Sequence, residues 1–241
     1  MGSQYPEIQE AVSQILGRVE NACQRAGRHS REVELMAVTK TVEVDRIRVA
    51  LQAGIRLVGE NRVQEAEGKK AALDREFPDL KWHLIGNLQS NKARKALALF
   101  DVIETIDDVG LAGKLDRIAA ETGRILPVMI EVNLGDEDSK AGVPETAALK
   151  LIESCSSMTN LKPLGLMAVP PFMDNPEEVR PFFRRLRLLR DEAIRAGAAG
   201  PDFSDLSMGM SNDFEVAIEE GATIVRVGSA MFGERNYSRT A

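Results

Sequence analysis

The apolar run LMAV (35–38) continues into Thr39 and Lys40. Such a strand has either reached water, where an ammonium is at home, or carried an amine to the wall of a pocket. An amine held away from water is nucleophilic and can condense with a carbonyl compound. Two later segments offer a complementary chemistry. SMGMSND (207–213) and VRVGS (225–229) place glycine and serine at the ends of candidate strands. The Ser211 and Ser229 hydroxyls and the backbone near Gly228 are suited to hold a phosphate, and a helix N-terminus would add unpaired N–H groups. Asn212 and Glu215 have the spacing of a capping box for the next helix. Taken singly, either segment is better explained by ordinary turn chemistry; the two together, at the expected positions, favour a phosphate. Arg226 stands in the same strand as Gly228. A lysine, an anion cradle and an arginine suit pyridoxal 5′-phosphate, an aldehyde that carries a phosphate. They also suit a Schiff-base aldolase acting on a sugar phosphate. Spacing alone does not separate these two, nor either of them from a lysine that simply meets solvent.

These groups can meet only if the fold brings them together. Short apolar runs recur at VELMAV (33–38), RLVG (56–59), KWHLIG (81–86), DVIET (101–105), LPVMIEV (126–132), LKPLGLM (161–167), DFSDLSM (202–208) and TIVRVG (223–228). The intervals carry helical patterns over 43–53, 62–77, 90–98, 108–121, 144–157, 176–196 and 212–220. Alternating strands and helices predict a parallel sheet, and eight repeats in 241 residues predict a closed (β/α)8 TIM barrel. An extra helix precedes them, with Ile8, Val12, Ile15, Val19 and Cys23 on one face and His29 at its end. An open doubly wound sheet is the alternative, but no G-x-G-x-x-G follows the first strand. No linker marks a boundary, so residues 1–241 are expected to form one domain.

A barrel of this kind gathers function at the C-terminal ends of its strands. There stand Lys40, then Glu60 and Asn61, then His83, Asn87 and Lys92. Glu104 and Thr105, Glu131 and Asn133, Met167, Ser207 and Ser211 follow, and Arg226, Gly228 and Ser229 close the circle. His83 is a general base if a substrate proton lies within reach, and otherwise a structural hydrogen-bonding residue. Trp82 is expected to be wall rather than a stacking platform.

Composition narrows the function further. With 31 basic and 37 acidic residues the formal net charge is −6, which does not favour nucleic acid. The basic stretch RPFFRRLRLLR (180–190) has Phe182, Phe183, Leu186 and Leu189 at helical spacing, which describes a solvated helix face. No apolar run approaches the ~20 residues of a membrane helix. The N-terminus has neither the basic nor the apolar region of a secretory leader. Cys23 and Cys155 share no metal-ligand spacing and read as buried thiols, consistent with a reducing cytoplasm. With two histidines in the chain, no multi-histidine metal site is expected.

The motifs AVTK (37–40), GENRVQE (59–65), WHLIGNLQSNK (82–92), SMGMSND and VRVGSAMFG (225–233) together resemble the YggS/PROSC family of pyridoxal phosphate homeostasis proteins. The resemblance runs in order over nearly the whole chain, and the set is specific although each motif alone is weak. It implies the barrel of the alanine racemase N-terminal domain, fold type III of the pyridoxal-phosphate proteins. It implies that Lys40 holds the cofactor as an aldimine and that Arg226 faces the pyridine nitrogen. Ser211, Gly228 and Ser229 would hold the phosphate. Asn61 and His83 would line the pocket near the ring, with Asn87 and Met167 as neighbours. Ala230 departs from the pattern, where a larger apolar residue is expected.

The same resemblance bears on turnover. Arginine cannot offer the ring nitrogen a carboxylate, which leaves the cofactor a poor electron sink. Alanine racemase works with such an arginine, but uses a tyrosine from a partner's C-terminal domain as second acid/base. Here the tyrosines are Tyr5 and Tyr237, both near the termini. The implied protein stores the cofactor or delivers it to apoenzymes that depend on it, in vitamin B6 and amino-acid homeostasis, as a monomer without efficient turnover. A weak amino-acid racemase is the alternative. Lys92 and Lys140 stand in rim loops as competing amines.

Overall fold

The computed structural model describes residues 4–135 and 141–233. Helix α1 (Pro6–Arg25) comes first. Proline at its first turn suits a helix start, and Ile8, Val12, Ile15, Val19, Ala22 and Cys23 form its buried stripe. It ends before Gly27, whose φ of +66° is a conformation open to glycine. His29 therefore lies beyond the helix, at the start of a 3₁₀ turn over Ser30–Glu32, a correction to its expected place on α1.

The repeats follow in chain order: β1 (Glu34–Val38), α2 (Val44–Gln52), β2 (Leu57–Glu60), α3 (Val63–Leu73), β3 (Lys81–Leu84), α4 (Ala93–Leu99), β4 (Val102–Ile106), α5 (Val109–Glu121) and β5 (Leu126–Asn133). After them come β6 (Val143–Pro144), α6 (Glu145–Ser156), β7 (Leu161–Met167), α7 (Arg180–Arg195), β8 (Asp205–Ser207), α8 (Phe214–Glu219), β9 (Ile224–Val227) and α9 (Ser229–Phe232). The sheet runs β4-β3-β2-β1-β9-β8-β7-β5, and β4 also pairs with β5. Eight parallel strands thus close into the expected barrel. Strand β6 is too short to carry a sequence pattern; it pairs alongside the end of β5.

Period-two alternation divides the strands into two faces. Outward residues pack under the helices in the main core, and inward Met36, Leu57, Val102, Met129, Met167 and Ile224 form a separate apolar cluster. That cluster is the floor of the barrel. Above it come inward polar residues, and above those the mouth. The basic stretch of α7 is largely neutralised from within the chain. Phe183, Leu186 and Leu189 are buried, while Arg180, Arg184 and Arg187 pair with Glu220. Cys23 and Cys155 are buried free thiols, and burial pushes the Cys155 thiol up to about 12. No helix among the described residues is long and apolar enough to cross a membrane.

Candidate functional site

A cavity of about 620 Å³ opens at the C-terminal mouth of the barrel. That is within the usual range of small-molecule sites, roughly 300–1,000 Å³. Lys40 reaches it because it continues the inward series Met36, Val38 of β1, and Val38 lines the wall below it. Among the described residues the Lys40 side chain makes no hydrogen bond or ion pair. Asn61 enters by the same alternation, two places beyond Gly59 on β2. Its backbone lies tight against Gly86: a Cβ on Gly86 would collide with the Asn61 carbonyl oxygen and stand 2.7 Å from its Cα.

The opposite wall comes from the last two strands. Helix α9 begins directly after β9, and its cap residue is Gly228. The Ser211 hydroxyl accepts hydrogen bonds from the backbone N–H of Gly228 and of Ala230, both at 3.3 Å. Ser211, Gly228 and Ser229 all line the cavity. The expected capping box of α8 does not form. Asp213 is the residue before the helix, and its carboxylate accepts from Met210 N–H at 2.6 Å. Glu215 instead pairs with Arg18 of α1 at 2.9 Å, and Asn212 donates to the Met173 carbonyl.

Arg226 lies beneath this wall, buried to 4% exposure yet still reaching the cavity. It donates to the Ser207 carbonyl at 2.6 Å, the Ser207 hydroxyl at 2.7 Å and the Ala168 carbonyl at 2.7 Å. The Ser207 hydroxyl donates to Glu104 at 2.6 Å, and the other Glu104 oxygen is 2.6 Å from His83 Nδ1. Burial would raise the Glu104 carboxyl, but His83, Arg226 and Ser207 together hold it below its ordinary value. As an ionised acceptor it requires the proton of that hydrogen bond to sit on Nδ1. Burial draws the Arg226 guanidinium down from its usual range, opposed by Glu104, Glu131 and Asp213. Glu131 accepts no hydrogen bond among the described residues, and only the Arg226 charge favours its ionised form. Burial, with Asp107 and Glu104 nearby, pushes its carboxyl up to about 7.

Of the residues singled out in the sequence, Lys40, Asn61, Ser211, Arg226, Gly228 and Ser229 come together on one cavity. His83 belongs to the buried polar layer, and Met167 to the inward apolar cluster; neither lines the cavity. Asn87 lines a neighbouring cavity, also of about 620 Å³, with Lys92 and the far side of Asn61. Glu60 and Thr105 do not face the mouth. Glu60 pairs outward with Lys69 of α3, and Thr105 donates to the Gly86 carbonyl. Trp82 is outside the barrel too, its indole N–H donating to Asp74 at 2.9 Å. Lys140 and Tyr237 lie outside the described residues. The cavity also has walls the motifs did not suggest: Ile85, Val169, Phe172 and Met210. Val169 and Phe172 sit in an irregular loop, without a period to reveal them.

Residues 15–236 match the family described as "Alanine racemase, N-terminal domain". The pyridoxal phosphate homeostasis protein of Aquifex aeolicus is 46% identical over 229 residues, 95% of this chain and 98% of that one. A crystal structure of a protein from Bifidobacterium adolescentis superposes with a TM-score of 0.91 at 36% identity, covering 96% of this chain and 97% of that one. PipY of Synechococcus elongatus, solved with pyridoxal phosphate bound, gives a TM-score of 0.79 at 38% identity, over 90% of this chain and 100% of that one. By its barrel, by the match along nearly its whole length and by these relatives, the chain belongs to the alanine racemase N-terminal domain family and, within it, to the pyridoxal phosphate homeostasis proteins.

Proposed function

We propose that this chain binds pyridoxal 5′-phosphate at the mouth of its barrel, attached through Lys40, and serves vitamin B6 and amino-acid homeostasis without efficient turnover. One observation carries the reading: an amine without a partner among the described residues, a serine-glycine cradle and a buried guanidinium face the same cavity. The residues fit the cofactor. Lys40 would supply the amine. The Ser211 and Ser229 hydroxyls and the backbone at Gly228 would hold the phosphate, and Arg226 would stand at the ring nitrogen. Bound there, the cofactor supplies an aldehyde for an amine to condense with and a ring that can draw electrons. The names of the curated relatives and the bound cofactor of PipY support the same assignment.

The proposal of low turnover rests on the cavity wall. Besides Lys40 and Arg226, the ionisable group among the described lining residues is Asp213. Its carboxylate is engaged by Met210 N–H, which suits loop support better than proton transfer. We take the chain to be a single cofactor-binding domain, a cytoplasmic monomer that delivers its cofactor to acceptor apoenzymes.

The test is to add pyridoxal 5′-phosphate, reduce with borohydride and map the modified peptide, with Lys40→Ala alongside. Label confined to Lys40 and lost in the variant is the expected result. Label spread over surface lysines would defeat the assignment. Alanine and serine incubated with the loaded protein should keep their enantiomer ratios; steady racemisation would overturn the claim of low turnover.

A further inference from the structure

We propose that Phe172, with Val169 beside it, determines specificity at the mouth: it packs against a flat aromatic aldehyde and so selects the pyridoxal ring over aliphatic aldehydes that carry a phosphate. The proposal rests on the reading of Lys40 and the serine-glycine cradle as the cofactor site. An amine, an anion cradle and a guanidinium serve either class of aldehyde. Discrimination between them has to come from what covers the rest of the ligand. Strand order places those walls. Around the barrel the strands run β3, β2, β1, β9, β8, β7. Lys40 follows β1, and the cradle follows β8 and β9, so the two are neighbours on the rim. Asn61 and Ile85 stand on one side of them, after β2 and β3, and Val169 and Phe172 on the other, after β7. In the ring of eight strands β2 and β7 are four places apart, so these two sides face each other across the mouth.

The two apolar side chains after β7 are held out in water. Phe172 is 70% exposed and Val169 42% exposed, although both line the cavity. A loose loop does not explain this, because the chain is fixed on either side of Phe172. At its start the Ala168 N–H donates to the Ser207 carbonyl at 3.2 Å, and the Ala168 carbonyl accepts from Arg226 at 2.7 Å. Pro170 and Pro171 restrict the backbone, and Pro170 is buried. Beyond Phe172, Met173 packs against the main core, and its carbonyl accepts from Asn212 at 3.1 Å. One aromatic ring is thus presented at the rim by an anchored segment. Leaving that ring in water costs free energy, which the apolar face of a ligand recovers on binding.

The chemistry of this wall separates the two classes of aldehyde. A pyridine ring offers flat faces that pair with an aromatic side chain in stacked or edge-on contact. An aliphatic sugar-type aldehyde offers hydroxyls, and a hydroxyl taken from water without a partner is costly. Val169 and Phe172 supply no such partner. Nearby, the Asn212 amide is already engaged by the Met173 carbonyl and the Asp213 carboxylate by Met210 N–H.

The experiment compares wild type, Phe172→Leu and Phe172→Ala. Each is titrated separately with pyridoxal 5′-phosphate and with glyceraldehyde 3-phosphate, an aliphatic aldehyde that carries a phosphate, then trapped with borohydride and mapped. The reading is the concentration that gives half-maximal label at Lys40. Thermal unfolding of the unloaded proteins serves as the fold control, and since Phe172 is mostly exposed the variants should unfold as wild type does. In Phe172→Ala the concentration of pyridoxal 5′-phosphate required should rise about tenfold, the scale of a lost aromatic contact and the area it buries. Phe172→Leu, which keeps apolar area but not the ring, should fall between. The concentration of glyceraldehyde 3-phosphate required should not rise, so discrimination between the two aldehydes drops by the same factor. An unchanged requirement for pyridoxal 5′-phosphate would overturn the proposal. So would an equal rise for both aldehydes, which would make Phe172 a support of the rim rather than a selector. Absence of label at Lys40 in wild type would instead overturn the cofactor reading beneath it.

Discussion

Glu131 offers a sharp test of the electrostatics inside the barrel. It projects inward from β5 at 7% exposure, and the charged groups acting on it are Asp107, Arg226 and Glu104. Its carboxyl is held up to about 7 against an ordinary 4.5. The folded protein therefore keeps a proton that the unfolded chain gives up. Stability should be unaffected by this group below about pH 4.5, should fall as pH rises from there to about 7, and should stay reduced above that. At about 1.36 kcal/mol per pH unit, the gap amounts to about 3 kcal/mol. Glu131→Gln keeps the shape and removes the titration. At pH 5 the variant should be more stable than wild type by less than about 1 kcal/mol. At pH 8 it should be more stable by about 3 kcal/mol, or about 9 °C in Tm for a chain of this length. Urea unfolding at the two pH values reads the difference directly. If the two proteins differ by the same amount at both, Glu131 is not held protonated and the account of the polar layer fails.

Three further outcomes are expected. Ser211→Ala removes the acceptor that joins the Gly228 and Ala230 N–H groups, and should weaken pyridoxal 5′-phosphate binding about tenfold by fluorescence titration, with Lys40 still labelled at high concentration. Gly86→Ala forces a Cβ against the Asn61 backbone and should lower stability by about 1–3 kcal/mol in urea unfolding while weakening cofactor binding. Arg226→Gln leaves Glu104 without its nearby cation and should destabilise the unloaded protein by roughly 3 kcal/mol; unchanged stability would mean that the guanidinium is not integral to the layer.

The barrel was legible because period-two strands and 3.6-period helices alternate cleanly from residue 33 to residue 228. Strand patterning in the sequence leaves Lys40 open between water and pocket, and the pocket positions of Lys40 and Asn61 are implied by the family resemblance; alternation in the folded strands accounts for them. Depth was not legible. Sequence places His83, Glu104, Glu131, Ser207 and Arg226 near strand ends, but how far each end stands above the barrel floor depends on register between strands, which no single strand encodes. Glu60 and Thr105 were misplaced at the mouth for a related reason. A strand-end residue is as readily outward as inward, and the outward partners, Lys69 nine residues on from Glu60 and the Gly86 carbonyl nineteen before Thr105, belong to other elements. The capping box failed because a local pattern met a stronger distant partner, Arg18. One clue was present and unread: Lys69 continues the buried stripe of α3 at a place that calls for an apolar residue.

The three inward layers differ in how fully their groups are committed, and that difference bears on function. The floor is apolar. In the middle layer Arg226, Ser207, Glu104 and His83 bond to one another or to main-chain carbonyls. A polar network satisfied in this way is rigid, and a guanidinium so held presents a fixed charge rather than a movable proton. At the mouth the Lys40 amine has no hydrogen-bond or ion-pair partner among the described residues. On the proposed assignment, the buried guanidinium, the serine-glycine wall and the Lys40 amine would together seize an aldehyde and hold it. Driving proton transfers would need a further mobile acid or base above the ring. Glu131, its carboxyl pushed up to about 7, is not among the described residues lining the cavity, so its ionisation changes the field at Arg226 rather than moving a proton on a ligand. This commitment pattern supports the proposal that the chain retains and releases the cofactor rather than turning over chemistry upon it.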